Sequence, residues 1–318
     1  MEKRGLYRTL LNMLRISYTL PFVMASVTGA AFALTVCDEW LLAAVIPLDI
    51  FFFALFANLS NDYFDHRSGT DATRFDFLTK EREEAIKELY DERVYWEGNI
   101  FDRGEVSERT GKLVLALILA LAIITAVPII RHGGPLVIVL GAIGLFLAYF
   151  YTAPPLNLGA RGLGELDVGV SFFMMAFFTY YVIWPEWSWQ MFLIALLVGT
   201  SVMLMRFVDQ MSGYEAHLKG GERDWCVRLG LERAVTVVGV ILVAVHAMQL
   251  ALVYFHPVFL VLLLTVPMSR RMMKGLHNKE DELRFIRPAP QIVKMVIVSE
   301  VLIVISLIVQ SALPWTLW

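Results

Sequence analysis

The residues best suited to chemistry in this sequence are carboxylates and carboxamides that follow a long apolar run. The run covers 41–57 and leads into the stretch 58–71, which reads NLSNDYFDHRSGTD. On a helix, Asn58, Asp62 and Asp65 fall within roughly 60° of one another. Oxygen ligands on one face suit Mg²⁺, which typically binds one or two carboxylates together with substrate phosphates. The stretch therefore predicts a magnesium and phosphate site, and solvated capping residues are the alternative interpretation.

A second acid ends another apolar run. Asp209 lies at this end, Arg206 precedes it by one turn, and Glu215, Lys219 and Arg223 follow in a glycine-containing stretch. Charged groups are costly at membrane depth, so acids at the ends of membrane helices indicate function. Both halves of the sequence therefore bring an acid and nearby cations to one membrane surface.

Two such acidic ends suit a substrate with a diphosphate head and a long hydrocarbon tail. Acids would hold Mg²⁺, the ion would hold phosphate oxygens, and Arg or Lys would neutralise the remaining charge. An apolar bundle would accept the tail. The predicted reaction is departure of diphosphate from an allylic carbon, followed by alkylation of an electron-rich acceptor.

The elements that must position these residues are membrane helices. The 318 residues are 58% hydrophobic and 18% charged, and the mean hydropathy is +0.62. These values exclude a disordered chain or an ordinary soluble domain. We predict an all-α, polytopic membrane protein in which about nine transmembrane helices form one bundle, with cytoplasmic loop helices capping the inner face. The predicted spans are 16–36, 41–60, 112–130, 134–153, 165–184, 188–208, 232–254, 256–269 and 288–312.

The charge distribution predicts the orientation. With the N-terminus in the cytoplasm, every one of the 27 lysines and arginines except Arg131 falls on the inner segments or their flanks. This is the positive-inside pattern, and it predicts a multi-pass protein of the cytoplasmic membrane with its active site on the cytoplasmic side. We treat 1–318 as a single domain.

Two inner connections are longer or more irregular than plain turns. The first, predicted for 61–111, contains a helical insertion at about 72–110, whose segment 80–96 has an amphipathic pattern. That segment is either a lid over the site or a solvated cap. The other connection contains Tyr151 followed by the Pro154-Pro155 pair, which ends the fourth span.

The sequence gives little support for a disulfide, a zinc or haem site, nucleic-acid binding or transport. Cys37 and Cys226 fall on opposite sides of the membrane, so no disulfide is expected. The six histidines have no zinc or haem spacing, and His66 and His217 are interpreted as solvated loop residues. No nucleic-acid signature and no obligate protein partner is evident. A transporter would place charges near the midplane rather than at the helix ends.

Several motifs together resemble the UbiA superfamily of intramembrane prenyltransferases over nearly the whole chain. They are closest to its menaquinone branch, whose acceptor is 1,4-dihydroxy-2-naphthoate. The matching stretches are RISYTLP at 15–21, the motif at 58–71, YTAPP at 151–155, GLGE at 162–165, GER at 221–223 and VRLG at 227–230.

The resemblance implies roles for individual residues. Mg²⁺ and diphosphate would be held by Asn58, Asp62 and Asp65, with Arg15 and Tyr151 as further diphosphate contacts. Arg67, Lys219 and Arg223 are additional substrate-binding candidates. The acids expected to be catalytic are Asp62, Asp65 and Asp209.

The second motif departs from the family pattern. The family has Asp-x-x-x-Asp there, whereas this sequence has Asp209, Gly213 and His217. Either Asp209 with Glu215 holds a second ion, or this chain binds the ion differently, or activity is lost.

The resulting hypothesis is Mg²⁺-dependent transfer of a polyprenyl group from an allylic prenyl diphosphate to an aromatic acceptor, in synthesis of a quinone or similar lipid redox carrier. Other acceptors, such as a phenazine, a hydroxybenzoate or a glycerol ether lipid, remain open. So does a non-catalytic membrane protein that binds or transports lipid. The expected partners are the two substrates and membrane lipid.

Overall fold

The apolar segments of this chain fold as helices, and no strand occurs in the residues that the structure describes. The structure is a computed structural model, and it describes residues 16–69 and 99–313. The longer helices are α1 (Ile16–Ala33), α2 (Trp40–Ser68), α3 (Glu108–Gly133), α4 (Pro135–Phe150), α5 (Gly164–Ile183), α6 (Trp189–Ser212), α9 (Leu231–Leu252), α10 (Val266–Leu276) and α11 (Pro288–Ala312). The shorter elements are α7 (Tyr214–Gly220), α8 (Trp225–Leu229), a π-helical turn (Gly159–Leu163) and a 3₁₀ helix (Pro257–Thr265).

The helices confirm an all-α, multi-pass membrane protein. Six of them are long and apolar enough to cross a membrane, and α1 and α4 are shorter apolar helices. The eighth predicted span, 256–269, instead consists of the 3₁₀ helix running into α10. Every predicted span contains helical residues, while the number of nine crossings stays a prediction.

The end of α2 differs from the sequence-based expectation. We placed the start of the inner connection at Asn61, but the helix continues to Ser68. The reason is that Gly69 is the first helix breaker after Asn58, and its φ of +74° lets its N–H reach the carbonyls of Asp65 and His66. The acidic stretch is therefore part of a continuous helix. Most of the insertion at 72–110, including the amphipathic segment 80–96, lies outside the described residues, as does Arg15.

Close backbone contacts join α1, α5 and α6. A Cβ added at Gly29 of α1 would lie 2.1 Å from the carbonyl oxygen of Ala176 in α5. A Cβ at Gly199 of α6 would lie 2.4 Å from the carbonyl oxygen of Gly169, also in α5. Small residues allow membrane helices to approach in this way, because lipid supplies no hydrophobic force between them. Helix α5 is therefore tightly packed against both α1 and α6.

Candidate active site

The first acidic face lies along the last turns of α2. The Asp62 residue is 1% exposed, and Asn58 and Asp65 are partly buried. Asn58 Nδ2 and Asn61 Oδ1 are buried and meet no hydrogen-bond partner among the described residues. A buried polar atom without a partner is costly, so this face is suited to a bound polar ligand or ion.

The described end of the insertion, which begins at Asn99, supports this face from the side. Asn99 Nδ2 donates to the backbone carbonyl of Asp62 at 2.7 Å, while Asn99 Oδ1 accepts from the Phe101 amide at 3.0 Å. The Phe101 ring leaves no room for a side chain at Gly111, since a Cβ there would lie 2.5 Å from Cε1. His66 also donates from Nδ1 to Asp102. These contacts fix the end of α2 against α3.

Arg67, a predicted substrate contact, lies beside Tyr63. Its Nη1 donates to the Tyr63 hydroxyl at 3.3 Å, and that hydroxyl donates to Glu108 Oε2 at 3.4 Å. Lys112 lies 5.6 Å from the centre of the Tyr63 ring. The structure thus places Arg67 within a polar group that joins α2 to α3.

Tyr151 links the two acidic regions. It follows α4, and its carbonyl accepts from the Gly159 amide at 2.9 Å. The Arg206 guanidinium lies 5.6 Å from the centre of its ring. Burial raises the pKa of Tyr151 to about 12; Arg206 opposes this rise, and the carboxylates of Glu165, Asp167 and Asp65 add to it. Tyr151 is therefore within electrostatic reach of Asp65 on α2 and of Arg206 on α6.

Arg206 is the centre of the second region. Its Nη1 lies 3.6 Å from Oδ2 of Asp209, one turn later on α6. With the Gln210 amide turned so that its oxygen faces the guanidinium, that oxygen accepts from Arg206 Nε at 2.9 Å. These two contacts orient the guanidinium near the end of α6, beside Tyr151.

The connection before α5 is joined to the connection before α9. The Trp225 amide donates to Glu165 Oε1 at 3.0 Å, and its indole Nε1 donates to the Gly162 carbonyl at 3.2 Å. The Arg223 amide donates to the Ala160 carbonyl at 2.8 Å. Gly162 has a φ of +80°, and a Cβ there would lie 2.3 Å from the Arg223 carbonyl oxygen. Glycine at 162 is thus required for the approach that buries Glu165.

His217 is buried, so its interpretation as a solvated loop residue is wrong. Its Nδ1 donates to Asp224 Oδ2 at 2.7 Å, and Asp224 Oδ1 accepts from the Val227 amide at 2.8 Å. Burial alone would raise the pKa of Asp224, but the hydrogen bonds from His217 and Val227 outweigh it, and the pKa lies below its usual value. The imidazole lies over Gly213, where a Cβ would be 2.7 Å from Nε2. Glycine at 213 therefore makes room for His217.

The remaining predicted residues lie on the surface of the second region. Glu215, Lys219 and Arg223 are exposed, and Asp209 is partly exposed. Among the described residues, Asp209 and Glu215 do not belong to a group of three or more possible metal ligands. The cluster that does form there is His217, Glu222 and Asp224, whose ligand atoms lie within 4.8 Å of one another.

Sequence reasoning gave no site role to Glu165, Glu222 or Asp224, although the matched stretches GLGE and GER contain the first two. Glu165 carried a usable signal, because it is an acid in the first turn of an apolar span, directly after a Gly-Leu-Gly turn. Glu222 and Asp224 carried none, since they belong to a polar loop in which charged residues are ordinary.

Comparison with known proteins identifies relatives of similar length. A 2-carboxy-1,4-naphthoquinone phytyltransferase from Synechocystis sp. is 24% identical over 273 residues, covering 83% of this chain and 81% of the relative. A 1,4-dihydroxy-2-naphthoate octaprenyltransferase from Bacillus subtilis is 23% identical over 235 residues, covering 72% and 69%.

Solved structures share the fold. A UbiA homolog from Archaeoglobus fulgidus superposes with a TM-score of 0.66 at 14% identity, covering 96% of this chain and 100% of the other. The same homolog bound to GPP and Mg²⁺ gives a TM-score of 0.62 at 16% identity, covering 93% and 99%. The UbiA prenyltransferase family profile matches residues 20–289, and the chain belongs to this family of prenyltransferases.

Proposed function

We propose that this protein transfers a polyprenyl group from an allylic prenyl diphosphate to an aromatic acceptor, in the synthesis of a quinone or related lipid redox carrier. The observation that carries the proposal is the position of Tyr151, whose ring lies 5.6 Å from the Arg206 guanidinium and whose hydroxyl interacts electrostatically with Asp65. A diphosphate between the two acidic regions would meet metal-binding oxygens on one side and a guanidinium on the other. The two naphthoate relatives support an aromatic acceptor.

The α2 face fits Mg²⁺. The metal ligands available there are oxygen atoms of Asn58, Asp62 and Asp65. The buried Asn61 Oδ1 also lacks a partner among the described residues. When bound there, Mg²⁺ would act as a Lewis acid that makes diphosphate a better leaving group. The UbiA homolog with bound GPP and Mg²⁺ supports the same pairing of ion and substrate.

The second region contributes positive charge and orientation. Arg206, held by Asp209 and Gln210, would bind non-bridging phosphate oxygens as charge develops on the leaving group. Tyr151 keeps its proton at neutral pH and would donate one hydrogen bond to the diphosphate. The exposed cations Lys219 and Arg223, together with Arg15 and Arg67, would draw the substrate to the site.

The apolar bundle would hold the rest of the substrate. The hydrocarbon tail would lie among the membrane helices, away from the water that would otherwise capture an allylic cation. The positive-inside pattern supports a site on the cytoplasmic face, and the family match over residues 20–289 supports a single domain.

The test uses the full chain purified in detergent or lipid. It is incubated with Mg²⁺, geranylgeranyl diphosphate and a panel of acceptors that includes 1,4-dihydroxy-2-naphthoate, a hydroxybenzoate, a phenazine and a glycerol ether phosphate. Diphosphate release and prenylated product are measured. We expect product that requires an aromatic acceptor and disappears with chelator. Product only with the glycerol ether phosphate would overturn the aromatic acceptor, and absence of both product and Mg²⁺-dependent substrate binding would overturn the transferase.

A further inference from the structure

The second region contains a buried group of unlike ligands that the proposed reaction does not use. His217 and Asp224 are 6% and 0% exposed, and both belong to a segment that would ordinarily be solvated. Glu222 is partly buried, and its ligand oxygen lies within 4.8 Å of those of the other two residues. Burial of an imidazole with two carboxylates is unusual without a charge partner.

The surroundings of this group are rich in negative charge. Arg206 interacts with the carboxylates of Asp209, Glu165, Glu222 and Asp224, so one guanidinium is shared among four acids. The local field therefore favours a further cation.

Glu165, whose carboxylate interacts electrostatically with Asp224, also has an unsatisfied oxygen in the described structure. It is 1% exposed, and its Oε1 accepts from the Trp225 amide, next to Asp224 in the chain. Its other oxygen, Oε2, is buried and has no hydrogen-bond partner in the described part of the chain. Leaving a carboxylate oxygen in this state is costly unless an ion or a polar ligand binds beside it.

We propose that His217, Glu222 and Asp224 form a divalent-metal site that prefers an ion of the Zn²⁺ class over Mg²⁺. The preference follows from the imidazole nitrogen, since imidazole suits Zn²⁺ whereas Mg²⁺ takes oxygen ligands. Three protein ligands leave one open position in a tetrahedral site. The Val227 amide orients Asp224 through the oxygen that does not contact His217, as outer-shell partners of metal ligands do.

This site is separate from the magnesium face on α2. It uses no residue of that face, and it does not depend on prenyl transfer. It also accounts for Gly213, because the imidazole can lie over this position only if it has no side chain.

The test measures metal bound to the full chain in detergent, without prenyl diphosphate. Protein stripped with chelator is dialysed against Zn²⁺ alone or Mg²⁺ alone, and metal per chain is determined by mass spectrometry. We expect roughly one tightly held Zn²⁺ per chain. It should survive in the Asp62→Asn/Asp65→Asn double variant and should not be replaced by Mg²⁺.

Variants of the second region locate the ion. Glu222→Gln and Asp224→Asn should each weaken Zn²⁺ binding at least about tenfold, whereas Glu215→Gln, on the exposed face of α7, should not. Asn is a good N-cap, so Asp224→Asn keeps the start of α8, and size-exclusion profiles check the fold of each variant. Equal Zn²⁺ in Glu222→Gln and wild type, or loss of the ion in the Asp62/Asp65 double variant, would overturn the proposal. Neither result bears on the acceptor assay, so the two proposals fail separately.

Discussion

The two polar regions at the ends of α2 and α6 are built in different ways. On α2, the candidate ligands occupy one face of a continuous helix, and contacts from Asn99 and Phe101 hold that helix in place. On α6, Arg206, Asp209 and Gln210 belong to the helix, and the other polar groups come from the connection that follows it and from Glu165 of α5. In the first region, helix geometry alone brings the candidate ligands onto one face. In the second region, tertiary contacts bring the polar groups together.

This difference suggests a division of work. The α2 face offers oxygen ligands and unpartnered buried polar atoms, so it is suited to a metal ion and the phosphates bound to it. The α6 region offers an oriented guanidinium beside Tyr151, so it is suited to direct binding of phosphate oxygens. Substitutions in the two regions should therefore impair the protein in different ways.

The largest effect is expected on the α2 face. Asp62→Asn or Asp65→Asn should lower turnover to below about one thousandth of wild type, because loss of a metal ligand removes several kcal/mol of transition-state stabilisation. Diphosphate release measures this effect. Asp38→Asn, an exposed acid between α1 and α2, is the control and should stay active. Near-wild-type turnover in both α2 variants would contradict the assignment of the metal ion to this face.

Loss of the Arg206 guanidinium should have the second largest effect on turnover. Arg206→Gln should slow turnover on the order of 100-fold, as removal of one oriented charge donor does in other enzymes. Dependence on Mg²⁺ should remain, since the α2 ligands are intact. Arg233→Gln, an exposed cation at the start of α9, is the matched control. An unchanged rate in Arg206→Gln would contradict the role given to α6.

A smaller loss is expected when only the orientation of Arg206 is disturbed. Asp209→Asn should cost about tenfold, or about 1.4 kcal/mol in the barrier. Because Asp209 acts here through Arg206, the Asp209→Asn/Arg206→Gln double variant should be little worse than Arg206→Gln alone. Additive losses would instead mean that Asp209 binds a ligand of its own, and Glu280→Gln controls for loss of a surface acid.

The smallest effect is expected at Tyr151, and it should not depend on pH. Tyr151→Phe should cost about 1 kcal/mol, the net value of one hydrogen bond. Burial raises the pKa of this hydroxyl to about 12, so the proton stays in place at any pH below that value. The ratio of wild-type to Tyr151→Phe rates should then be constant from about pH 7 to about pH 10, a range that reaches the ordinary tyrosine pKa but stays below the raised one. A wild-type rate that falls toward the variant's in this range would show that the hydroxyl ionises.

The sequence predicted the α2 face because its geometry is local. Asn58, Asp62 and Asp65 follow the helical repeat, so their shared face follows from their spacing alone. The predicted end of α2 was wrong, because the polar stretch after position 60 was assigned to a loop, although it contains no glycine or proline before Gly69.

The second region could not be derived in this way. Its contacts join distant parts of the chain, as when Trp225 binds Glu165 sixty residues earlier. The pair His217 and Asp224 is only seven residues apart, but it forms because the chain turns at Gly221, whose φ is +75°. Neither the turn nor the burial of His217 has a periodic signal in the sequence.

Binding of a prenyl diphosphate to purified protein tests the division between the two regions most directly. Affinity for geranylgeranyl diphosphate is measured with and without Mg²⁺ for wild type, Asp62→Asn and Arg206→Gln. We predict that Mg²⁺ strengthens binding to wild type and to Arg206→Gln, with Arg206→Gln weaker throughout, whereas Asp62→Asn shows little response to Mg²⁺. An equal Mg²⁺ response in Asp62→Asn and wild type would contradict the assignment of the metal to α2.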